Sequence, residues 1–196
     1  LSASLNMDKA GNIYLIGDDY SIKSISNDGV LNWSYNENRL MKNTFHSPAF
    51  SPDGNTIYLQ GETVSLIAFD INTKTIKWEF GNTALKSGPI VDSDGNCYII
   101  PSNQGFDTLL LYSIDKLGGV KWQYPFYFKN GFNTEEPALD INGNIIFGFR
   151  DTLYSVNYNG DLNWKTYIEA NISSSSMIVD KVGNIFFTSI TNTGIN

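Results

Sequence analysis

One cysteine and one histidine stand among the 196 residues of this chain, and that scarcity removes several chemistries at once. A lone Cys97 forms no internal disulfide and no multi-cysteine metal site. It lies in the apolar run Cys97-Tyr98-Ile99-Ile100, where it reads as a small buried hydrophobe. A lone His46 would have to serve any Ser-His-Asp system, and no Gly-x-Ser-x-Gly elbow accompanies it. Gly-rich phosphate loops are missing as well. Lysine and arginine clusters are absent and the formal net charge is −7. Without a basic stripe to displace counterions, nucleic acid is excluded as a partner, and an anionic membrane surface is disfavoured. No apolar run approaches the roughly 20 residues of a membrane span. The chain starts at Leu1 with no signal-peptide pattern. Charge is sparse at 17% against 41% apolar residues, the reverse of a disordered composition.

What is present is a repeat. Gly-Asn recurs at Gly11, Gly54, Gly95, Gly143 and Gly183, at intervals of 43, 41, 48 and 40. Tryptophan recurs at Trp33, Trp78, Trp122 and Trp164, at intervals of 45, 44 and 42. Two unrelated markers keep one phase. Three residues before each Gly stand Asp8, Ser51, Asp92, Asp140 and Asp180, and six before it Leu5, Pro48, Pro89, Pro137 and Met177. Short β-branched and aromatic runs flank the turns, such as Ile57-Tyr58-Leu59 and Ile145-Ile146-Phe147. Gly supplies φ > 0 in each turn and Asn tolerates it, which makes a hairpin. A second hairpin turn precedes each Trp at Gly29, Lys74, Gly118 and Gly160.

Four strands per unit of about 40–45 residues is the size of a propeller blade. No segment keeps a 3.6-residue apolar period, so almost no helix is expected. The sequence therefore predicts an all-β propeller of four-stranded antiparallel blades at 2–35, 47–80, 87–124 and 135–167, with a fifth begun at 173–196. A fifth Trp would fall at 204–210, and the natural protein is expected to continue past Asn196. The segment from Asp92 to Asn96 carries the acids of a calcium loop but not its closing glutamate, and it reads as a structural turn.

The stretch Ala68-Phe69-Asp70-Ile71-Asn72-Thr73-Lys74-Thr75-Ile76-Lys77-Trp78 resembles the tryptophan-docking motif of quinoprotein-like (PQQ-type) repeats, Ala-x-Asp-x-x-Thr-Gly-Lys-x-x-Trp. Ser47-Pro48-Ala49 and Asp53-Gly54-Asn55-Thr56-Ile57-Tyr58 resemble its opening strands. Lys74 and Thr75 depart from its Gly-Lys pair. No Trp is followed by Asp, as WD40 repeats require, and a double Gly occurs only at Gly118-Gly119, which disfavours kelch. The resemblance implies that Trp33, Trp78, Trp122 and Trp164 lie on outer strands and dock on neighbouring blades. It also implies export, to the periplasm or a cell surface. Family enzymes hold a quinone with a metal ion, and some stack a vicinal disulfide on it. This chain has no cysteine pair and no matching Glu/Asn/Asp set, so no cofactor and no catalytic residue is expected.

The expected function is a non-catalytic binding or scaffold module with a protein partner. The alternatives are a propeller that binds a surface glycan or small ligand, and a stretch of a quinone-dependent dehydrogenase. A meander puts its first and third turns on one face, and its second loops and inter-blade connections on the other. The connections vary, with Trp-to-Pro intervals of 15, 11 and 15, and variable loops on a rigid scaffold are where binding residues concentrate. The candidate binding face is Tyr20, Arg39, Lys42, His46, Phe106, Tyr127, Lys129 and Arg150. Phe126, Phe128 and Phe132 either join it or fold inward over a blade junction.

Overall fold

The computed structural model describes residues 5–41, 46–102, 108–127, 136–169, 171–172 and 177–190. Four antiparallel meanders follow one another along the chain. The first is β1 (Asn6–Met7), β2 (Ile13–Ile16), β3 (Ser21–Ile25) and β4 (Leu31–Asn36); the second is β5 (Ala49–Phe50), β6 (Thr56–Gln60), β7 (Leu66–Asp70) and β8 (Thr75–Phe80). The third is β9 (Ile90–Val91), β10 (Cys97–Ile99), β11 (Thr108–Ile114) and β12 (Val120–Tyr127); the fourth is β13 (Ala138–Leu139), β14 (Ile145–Phe149), β15 (Thr152–Val156) and β16 (Leu162–Tyr167). A fifth unit holds two short pairs, β17 (Asn171–Ile172) with β20 (Ser189–Ile190) and β18 (Ile178–Val179) with β19 (Ile185–Phe186). There is no helix among the described residues. The chain is all-β, an arc of propeller blades, and the tryptophan strands β4, β8, β12 and β16 are the outer edges.

The Gly-Asn turns show why that dipeptide recurs. Gly11, Gly54, Gly95, Gly143 and Gly183 all have φ between 73° and 89°. In the first blade Asp8 Oδ1 accepts the Ala10 and Asn12 N–H groups while Oδ2 accepts the Asn12 side-chain amide. The same knot forms at Asp92, Asp140 and Asp180. The Asp92 oxygens are thus consumed by the turn that resembled a calcium loop. The second blade differs: Ser51 replaces the aspartate, and the turn is one residue longer, closing from Ser51 N–H to the Thr56 carbonyl.

The core sits between blades. One buried cluster joins Tyr14, Ile16 and Ile22 to Ile57, Leu59 and Phe69; another joins Tyr58 and Ala68 to Cys97 and Ile99; a third joins Tyr98, Leu109 and Phe126 to Phe147 and Phe149. Middle strands therefore bury both faces, and β6 is buried at every position. That is why these runs read as continuous rather than alternating hydrophobics. Phe126 folds inward against Phe147, with ring centroids 5.0 Å apart; Phe128 and Phe132 lie outside the described residues.

Each outer strand carries one bulge, at the residue before its tryptophan. The register shifts next to Ser24, Ala68, Ser113 and Ser155, which pair with Trp33, Trp78, Trp122 and Trp164. Those small residues let a tyrosine of the second strand reach the indole across the third. Tyr14–Trp33, Tyr58–Trp78 and Tyr98–Trp122 have centroids 5.9, 5.6 and 5.7 Å apart. The indoles then dock on the next blade's third turn. Trp78 Nε1 donates to the Lys116 carbonyl at 3.0 Å, and Trp122 Nε1 to the Tyr158 carbonyl at 2.8 Å. A Cβ on Gly118 or Gly160 would sit 3.0 or 2.8 Å from those rings. At the first junction Lys74 takes the glycine's place at φ 60°, with its ammonium 4.1 Å from the Trp33 ring centroid.

Candidate functional site

The two faces of the arc separate as a meander requires. First and third turns meet on one side, where Pro52 and Asp53 share a cleft with Lys116 and Leu117. Second turns and connections meet on the other, where Asp19 and Tyr20 share a cleft with the segment from Asn36 to Arg39.

That second cleft brings together two residues singled out by sequence, Tyr20 and Arg39. Tyr20 occupies the left-handed corner of the β2–β3 turn at φ 59°, and its carbonyl accepts the Glu37 N–H at 2.8 Å. Tyrosine rarely takes this conformation, so the surrounding structure holds it there. Arg39 does not reach into solvent as a free cation. Its Nε and Nη2 grip both oxygens of Glu37 at 2.7 and 2.8 Å, and its Nη1 reaches Glu79 of the second blade at 2.9 Å. The Arg39 hydrogen bonds hold the Glu37 carboxyl below the usual range although Glu37 is buried, and Glu37 in turn pushes the guanidinium up. Asp19, held at about 2 by the Ser21 hydroxyl and then by Lys23, completes a rim that is polar and anionic rather than basic.

Arg150 lies at the corresponding β14–β15 turn with φ 54°, its carbonyl accepting the Ile172 N–H at 2.6 Å and its guanidinium 5.8 Å from the Phe149 ring. His46 is elsewhere, at the blade entry, with Nδ1 3.5 Å from Glu136 Oε1 of the fourth blade. Gly88 makes room for that contact, because a Cβ there would stand 2.9 Å from the same oxygen. The Tyr127 backbone ends β12 opposite Thr108. Lys42, Phe106 and Lys129 lie outside the described residues. The structure thus gathers Tyr20 with Arg39 and sets His46 and Arg150 apart from them.

Sequence reading missed Glu37 and Glu79. Glu37 is two residues from Arg39 and could have been paired with it locally. Glu79 is 40 residues away and meets Arg39 only once two blades pack. Buried Cys97 has its thiol pushed up by desolvation, so it is not a ready nucleophile. Among the described residues no three His, Cys, Asp or Glu side chains are grouped to hold a metal ion. No helix among them is long and apolar enough to cross a membrane.

No family model matches the sequence, and no curated protein matches it. Solved structures match the fold. Hydrazine synthase from Kuenenia stuttgartiensis is 14% identical with a TM-score of 0.74, over 97% of this chain and 56% of that one. BamB from Moraxella catarrhalis is 15% identical with a TM-score of 0.64, over 90% of this chain and 52% of that one. A protein of unknown function from Bacteroides caccae is 13% identical with a TM-score of 0.63, over 89% of this chain and 64% of that one. BamB and hydrazine synthase are propellers of the quinoprotein-like type, and the likeness shows the fold. The chain spans between half and two thirds of these neighbours' lengths.

Proposed function

We propose that this chain is part of a non-catalytic propeller of the quinoprotein-like type that binds a protein partner through its connection face, in an exported protein. One observation carries the reading. Tyr20 and Arg150, at second turns of two different blades, are both non-glycine residues held at positive φ. Such strain persists only where the surrounding fold over-determines it, and it is concentrated at binding and switch positions. The Arg39 grip on Glu37 and Glu79 braces one of these turns across a blade junction. The result is a rigid polar platform on the side where connection length varies. Among the described residues of this platform no nucleophile is set beside a base, and the lone His46 lies 3.5 Å from Glu136.

The test compares Tyr20→Asn with Arg150→Asn, which keep a residue tolerant of left-handed backbone, against Ile141→Ala with Val182→Ala on the opposite turns. Cross-linked partner capture should fall for the first pair and persist for the second. Capture lost only in the second pair would put binding on the Gly-Asn face. Quinone plus calcium producing dye reduction would replace this reading with a dehydrogenase.

A further inference from the structure

The second and third junctions repeat one arrangement on the Gly-Asn face, so their residues correspond one to one. Lys77 and Lys121 each precede a docking tryptophan. Lys116 and Tyr158 each offer a carbonyl to that indole. Asp53 and Asp94 each precede the turn glycine. At the third junction the Tyr158 side chain is laid back over the third blade. Its phenol oxygen accepts from Lys121 Nζ at 2.7 Å and Asn96 Nδ2 at 3.2 Å, and its O–H donates to Asp94 Oδ2 at 3.1 Å. The Lys121 ammonium lies 4.3 Å from the ring centroid. At the second junction the corresponding residue is Lys116, and an open cleft of about 280 Å³ remains between Asp53, Thr56, Tyr58, Lys77 and Leu117.

A second observation lies at the floor of that cleft. Tyr14 and Tyr98 donate their hydroxyls to Asp8 and Asp92 at 3.1 and 2.8 Å. Tyr58 is their counterpart, but Ser51 stands where the aspartate would be, and the Ser51 hydroxyl is spent on Asp53 at 2.5 Å. Tyr58 is 1% exposed and lines the cleft.

We propose that the cleft between the second and third blades binds a phenolic ring, in the manner in which the next junction holds Tyr158. Lys77 and Asp53 are the donor and acceptor that a phenol needs, and the Tyr58 hydroxyl is a further partner. A bare anion would face Asp53 and Asp94, and a bare amine would face Lys77 and Lys116. A neutral group that both donates and accepts suits all four. The apolar face of the ring has Leu117 beside it and an ammonium within reach. The volume lies just below the roughly 300 Å³ at which drug-sized sites begin, so it takes one ring rather than a fused cofactor. This site is on the face opposite to Tyr20 and does not rest on the function proposed above.

The full chain is titrated with p-cresol and followed by nitrogen–proton NMR. The Trp78 indole N–H and the Gly95 and Leu117 amides should shift saturably, with a dissociation constant of the order of millimolar for one ring. Toluene, lacking the hydroxyl, should not saturate. Lys116→Tyr should fill the cleft from within and abolish binding without lowering the melting temperature. Asp53→Asn should weaken binding about fivefold, the worth of one hydrogen bond. N-acetyl-tyrosinamide binding as tightly as p-cresol would identify a partner's tyrosine side chain as the ligand; p-cresol alone would identify a free phenol. The proposal is overturned if no shift saturates, if toluene binds equally, or if the Lys116→Tyr chain binds like the parent.

Discussion

Trp122 and Trp164 stand at the same register in neighbouring blades, opposite Ser113 and Ser155. Trp122 is half-buried and its indole N–H is satisfied by the next blade, while Trp164 is 38% exposed. Their own strands are alike, so the burial that Trp122 gains comes from the next blade's third turn lying over its ring. The tryptophan that marks each repeat is therefore an inter-blade group, and its energetic weight belongs to the junction. Trp33 shows a third state. Its neighbour offers Lys74 in the glycine slot, and an ammonium replaces backbone packing on the ring. Lys74 Nζ also donates to the Ile71 carbonyl.

The largest expected effect comes from closing the docked slot. Gly160→Ala adds a Cβ 2.8 Å from the Trp122 ring at a position with φ 91°. Backbone strain and overpacking together should cost about 3 kcal/mol or more. Gly143→Ala has φ 77° and nothing within 4 Å of its Cβ, so it should cost only the strain, about 1–2 kcal/mol. Urea denaturation of both variants isolates the docking contribution, and equal losses would break the comparison.

A smaller effect separates the junctions by charge. The first is braced by Arg39 with Glu37 and Glu79, and Glu37 is the buried partner. A carboxyl whose folded pKa is depressed stabilises the fold above its unfolded pKa, and that contribution is lost as pH falls through the folded value. Glu37→Gln should therefore cost about 1 kcal/mol at pH 7, discounted because Arg39 is half exposed. The gap between parent and variant should narrow as pH falls through the acid range, below the unfolded value of Glu37. Asp53, held at about 2 by the Ser51 hydroxyl, titrates at the low end of the same window. A gap independent of pH, by denaturation in buffers across the range, would show that Glu37 does not act through its charge.

The blade plan was legible because two backbone demands recur. Every Gly of the Gly-Asn pairs sits at positive φ, and every Trp sits beyond a bulge on an outer strand. Lys74 was visible as a departure, but its left-handed backbone and its place over Trp33 were not. Arg39 was visible as a cation in a long connection with Glu37 beside it in sequence, and only packing revealed Glu79 as its second carboxylate. Tyr158 carried no signal at all: it is one turn residue among several until Lys121 and Asp94 close on it from the neighbouring blade. Composition and spacing describe what each blade does alone, and the sites lie where two blades meet.

Thermal unfolding of Trp122→Ala beside Trp164→Ala tests the central claim, that the repeat tryptophans hold blades together through the following turn. Trp122→Ala should lose about 2 kcal/mol, below the roughly 3–5 of a fully buried aromatic because this ring is half-exposed. That is a fall of about 4–8 °C for a chain of this size. Trp164→Ala should move the midpoint by less than about 2 °C. Equal falls in the two variants would contradict the account, because they would place the tryptophan's contribution within its own blade.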